Sequence, residues 1–276
     1  MESHKVYASL RLLETVTMQR AFADRDEHRA FRERIETMLR AGEADAALAL
    51  VRQGLEAVAG QGLAVVDIAL AALPEQIRIT GWDALAATVA RLEGRGVTVS
   101  AIGIDLTGSC WDGAIPEIGH EVPPYLETSY YTDLPEIAFS TATRADILAA
   151  YTNYGSPWAG CFAEIEGDIE VEGLSKLYSA VIRNAYEKHR DRDDALGDSH
   201  LLAASASAIL LHVAVRSAVA AGALPRPVAV IVGSNEGYPF YDAPVVSGDE
   251  ARALMPTRPA PAPAQATKGI LGRLFG

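Results

Sequence analysis

Residues 76–106, QIRITGWDALAATVARLEGRGVTVSAIGIDL, decide the fold. The segment opens on a short β-branched run, and VTVSAIGIDL (97–106) is a longer one that suits a pleated surface. Between them, GWDALAATVARLEGRG repeats its apolar positions at helical spacing and meets stop signals at Gly94 and Gly96. Strand, helix and strand with short joints predict a βαβ unit, whose two strands run parallel in one sheet. PVAVIVG (227–233) has the unbroken apolar run of a second central strand. The strands at 97–106 and 227–233 are expected in one sheet, with the loops after them at the same edge. The fold class expected is therefore α/β, a mixed sheet with a βαβ unit.

Upstream, residues 5–72 read as a helical N-terminal layer. Phe31, Ile35, Met38 and Leu39 share one helical face, Gly42 is a stop, and Leu48, Val51, Leu55 and Val58 form the next face. Downstream, LETSYYTD (126–133) reads as a strand within a long excursion, and TRADILAAY as a short helix capped by Thr143. Two long helices follow, GLSKLYSAVIRNAYEKHR (173–190) and SHLLAASASAILLHVAVRSAVAAG (199–222). The second is apolar almost all round, which predicts burial against a sheet. MPTRPAPAPAQAT (255–267) is a Pro/Ala stretch that cannot pack. The expected division is a helical layer over 1–72, a mixed α/β domain over 73–248, a flexible linker over 249–266 and a docking tail over 267–276.

Composition narrows the function classes. A formal net charge of −12 argues against a nucleic-acid binder, because neutralising phosphates needs a basic surface. The excess of Arg over Lys and the abundance of Ala fit a GC-rich bacterial source. The two cysteines, Cys110 and Cys161, are too sparse for a disulfide framework or a zinc spacing, so both are expected to be reduced thiols. No stretch reaches 18 uninterrupted apolar residues and no leader pattern opens the chain, so the expected location is the cytoplasm. Neither a GxxxxGK[ST] loop nor a GxGxxG turn occurs, so no cofactor is expected.

In open α/β sheets, ligands bind outside the carboxyl ends of the strands. The loop after residue 104 supplies Asp105, Ser109, Cys110 and Asp112; the loop after residue 232 supplies Ser234, Asn235, Glu236, Tyr238 and Asp242. Facing each other, the two loops would form one polar crevice. The competing reading is two tight turns in which these residues serve the backbone. Cys110 with His120 is a weak nucleophile–base pair, since proximity in sequence says nothing of proximity in space. His200 and His212 on one helix stand about a third of a turn apart and make no metal pair, so each reads as a satisfied or capping histidine and no metal is expected. IGIDL (102–106) resembles the opening of the phosphate loop in the actin and heat-shock ATPase superfamily. Thr107 and Gly108 then come in swapped order and no second phosphate loop follows, so that chemistry is not carried over.

FAEIEGDIEVEG (162–173) alternates Glu164, Glu166, Asp168, Glu170 and Glu172 with small or apolar residues. As one strand it would place five carboxylates on one face, a surface for a basic protein partner or a solvated edge protected by charge.

The closing KGILGRLFG (268–276) resembles the C-terminal membrane-targeting segment of the cell-division regulator MinD, where a Lys-Gly pair leads into a short apolar-basic helix. The resemblance covers nine residues and implies a role in membrane docking for Lys268, Ile270, Leu271, Arg273, Leu274 and Phe275. Independently of it, residues 270, 271, 274 and 275 share one helical face bordered by Lys268 and Arg273. Docking into a groove on another protein suits the same pattern. The function expected is a non-enzymatic bacterial binding or regulatory protein, acidic in its body and brought by its tail to a protein partner or to the inner face of the membrane. The alternative is a hydrolase-type enzyme using the crevice between loops 105–112 and 233–242.

Overall fold

The computed structural model describes residues 20–97, 99–107, 120–132, 162–164, 169–191, 194–221, 224, 228–234, 243 and 244. The linker, the tail and the expected helix at 143–151 lie outside them, as do Cys110 and Cys161.

Three helices come first: α1 (Arg25–Arg40), α2 (Ala44–Ala57) and α3 (Ala64–Ala71). Asp24 caps α1, its side chain accepting from the Asp26 and Glu27 N–H groups. Gly42 ends it at φ +79°, with its own N–H donating to the Leu39 carbonyl and Glu43 N–H donating to that of Met38. That pair of bonds satisfies two carbonyls left over at the helix end. The faces expected from spacing are the buried ones: Ile35 and Leu39 on α1, and Leu48, Val51 and Leu55 on α2.

The 3-10 turn Pro74–Gln76 leads into β1 (Arg78–Thr80), followed by α4 (Trp82–Gly94) and β2 (Val99–Thr107). These three elements occur as expected, but they do not form the expected βαβ unit. β1 pairs antiparallel with β5 (Glu170–Glu172) in a separate two-stranded sheet. The reason is competition for the flanks of β2. Both are taken, one by β3 (Tyr125–Thr132) and the other by the apolar β6 (Ala229–Ser234), and each makes a longer ladder than three-residue β1 could offer. With β4 (Phe162–Glu164) and β7 (Ala243–Pro244) the larger sheet has the order β4-β3-β2-β6-β7. Its parallel pair is β2–β6, which run side by side from Ala101↔Ala229 to Leu106↔Ser234. The other described pairs in it are antiparallel.

The acidic run is also not one strand. Residues 162–164 pair with β3, whereas 170–172 pair with β1 in the other sheet, so five carboxylates do not line one face. Alternation holds only while one ladder lasts. It does hold within β5, where Val171 is buried between exposed Glu170 and Glu172. The register sets Arg78 directly opposite Glu172.

Two long helices complete the described structure, α5 (Ser175–Asp191) and α6 (Asp194–Ala220). Leu196–Ala220 has the length and hydropathy of a membrane span, yet two-thirds of it is buried inside the fold as a core helix. The sheet expected to cover it contributes only part of that cover. α2, α3 and α5 pack on it along with β1 and β6, because a helix apolar all round needs neighbours on every side. One continuous core runs from Phe22 through the N-terminal helices to Val232, so the helical layer and the α/β part share their interior.

Candidate active site

Strand alternation divides the larger sheet into two faces. On one, Ile102, Ile104 and Leu106 of β2 join Leu126 and Tyr130 of β3 and Val230 and Val232 of β6 in the main core. On the other, the register places Gly103 and Asp105 beside Glu127 and Ser129 of β3 and beside Ile231 and Gly233 of β6. Ile231 is only 2% exposed although it stands outside the main core. Asp105 and Glu127 are half-buried. At the rim, Tyr125 pairs with Thr107 and is 54% exposed.

Asp105 is thus held between two strands, with Glu127 directly across on one side and Gly233 on the other. Burial, and secondly the Glu127 carboxylate, push the Asp105 carboxyl up to about 7. Two facing carboxylates resist ionising together, so the Asp105 carboxyl takes up and releases its proton near neutrality. Such a pair could serve as general acid and base, or receive a cationic group in place of the proton.

β3, the next strand after β2 in the larger sheet, lies on one flank of the parallel β2–β6 pair, and β7, the next after β6, lies on the other. A crevice at the carboxyl ends of such strands is where α/β sheets bind ligands. Of the residues expected in the two loops, Asp105 lies instead within β2, and Ser234 is the last residue of β6, opposite Leu106. Ser109, Cys110, Asp112, Asn235, Glu236, Tyr238 and Asp242 lie outside the described residues. So do Glu166, Asp168 and the six tail positions 268, 270, 271 and 273–275. Glu164 stands opposite Ser129, while Glu170 and Glu172 belong to the other sheet.

Comparison with protein-family models, curated proteins and solved structures finds no match. The site therefore has to be read from its own chemistry. Sequence reasoning missed Glu127: LETSYYTD marked a strand, but only the cross-strand register makes its glutamate the neighbour of Asp105. Among the described residues no group of three or more His, Cys, Asp or Glu could hold a metal ion.

His212 departs from the expectation of a satisfied histidine. It is 1% exposed on α6, and its Nδ1 makes no hydrogen bond among the described residues. Burial, and then the Arg216 charge, lower it to about 4, so it is neutral in the folded protein at pH 7.

The two shifts act on stability in opposite senses. A carboxyl raised in the folded state stabilises fully below its unfolded value, and that contribution is lost as pH rises through the folded value of about 7. A histidine lowered in the folded state favours folding above its unfolded value, and that is lost as pH falls through about 4. Asp105→Asn should therefore raise stability at pH 8 by on the order of 4 kcal/mol and give much less at pH 4. Urea unfolding at both pH values checks this; an equal gain at both would show that Asp105 does not carry the titration.

Proposed function

We propose that the protein is a non-enzymatic binding or regulatory protein whose ligand enters the crevice at the carboxyl ends of β2 and β6, and whose tail brings it to its place of action. The observation that carries this reading is the parallel register of β2 and β6, which sets Asp105 beside Gly233 near the carboxyl ends of both strands. The tail's apolar face, Ile270, Leu271, Leu274 and Phe275 with Lys268 and Arg273 at its border, supports recruitment to an anionic membrane or to a protein groove. One short helix binds weakly on its own, so recruitment is reversible or depends on several tails acting together.

A second reading, a hydrolase-type enzyme using the same crevice, is favoured by one observation. The register sets Asp105 directly opposite Glu127, and a carboxyl raised by burial beside a second carboxylate suits general acid–base work near neutral pH.

Nuclear magnetic resonance titration of the isotope-labelled full chain separates these readings. The probes are pools of nucleotides, amino acids, sugars and carboxylic acids, together with p-nitrophenyl acetate and p-nitrophenyl phosphate. The binding reading expects shifts confined to residues 103–107, 127–129 and 231–234, and no release of p-nitrophenol. Release that disappears in Asp105→Asn would establish the hydrolase instead, and probes that move none of these residues would end the crevice reading. A chain ending at residue 266 should give the same titration while losing co-sedimentation with anionic liposomes. If the full chain ignores such liposomes even when artificially dimerised, the tail docks on protein.

A further inference from the structure

No further inference is drawn: the strongest candidate, the Asp105–Glu127 carboxylate pair with Ser129 on the second face of the five-stranded sheet, belongs to the site already described, and nothing among the described residues shows what covers it.

Discussion

Replacing Gly173 with alanine is expected to destabilise the fold by about 3 kcal/mol or more, through a backbone collision added to dihedral strain. Gly173 makes the turn between β5 and α5 at φ +82°, and a Cβ there would lie 2.1 Å from the Gln76 carbonyl oxygen and 2.9 Å from its carbon. Those are backbone atoms of the Pro74–Gln76 turn, where Ile77 N–H donates to the Pro74 carbonyl, so no side chain can swing aside. Relief would require parting the segments that carry β1 and β5, beginning at Arg78↔Glu172. Gly42 is the control: its φ is nearly the same, +79°, but a Cβ there meets nothing within 4 Å. Gly42→Ala should cost only the left-handed strain, about 1 kcal/mol. Urea unfolding of the two variants separates the effects, and equal losses would show that the contact with Gln76 is unimportant.

Asp198→Ala is expected to cost on the order of 3 kcal/mol, the penalty for stranding buried donors around a deleted charge. Asp198 lies near the start of α6 at 2% exposure and accepts hydrogen bonds from the segment entering α1. Arg20 donates through Nε at 2.7 Å and Nη2 at 3.1 Å, while Ala21 N–H and Phe22 N–H donate at 2.9 and 3.3 Å. The anchor seats Phe22 in the core, where its ring meets those of His28 and Phe31. Arg20→Ala should cost far less, about 1 kcal/mol, because the two backbone bonds survive and an exposed guanidinium contributes little. The Arg20 side chain is indeed 37% exposed. Hydrogen exchange should find residues 21–31 opened in Asp198→Ala and protected in Arg20→Ala. Equal damage from both would mean that the ion pair, not the backbone anchor, holds the segment.

Local features of the chain were legible in the sequence, and pairing at a distance was not. The buried faces of α1 and α2 follow from apolar spacing, and the end of α1 from Gly42. β2 and β6 announced themselves by apolar runs long enough to fill central places, and they share one sheet as expected, where they turn out to be neighbours. β1 was recognisable as a strand, but three residues carry no information about a partner, and the βαβ reading failed there. The acidic run failed for the same reason, since its period of two says nothing about where one ladder ends and another begins. Half of the facing carboxylate pair was visible as Asp105, whereas Glu127 depends on register. The Asp198 anchor was out of reach, because its partners lie 176–178 positions away and no local pattern marks them.

β2 and β6 are parallel neighbours with both strand ends at one edge, and the proposed crevice depends on that adjacency. Interstrand nuclear Overhauser effects between backbone protons test it most directly. The expected contacts advance in step along both strands, from Ile102 with Val230, through Ile104 with Val232, to Asp105 with Gly233. Contacts running in the opposite sense, with Ala101 near Ser234, or contacts placing Arg78–Thr80 beside β2 in place of β6, would contradict the sheet order and remove the crevice with it.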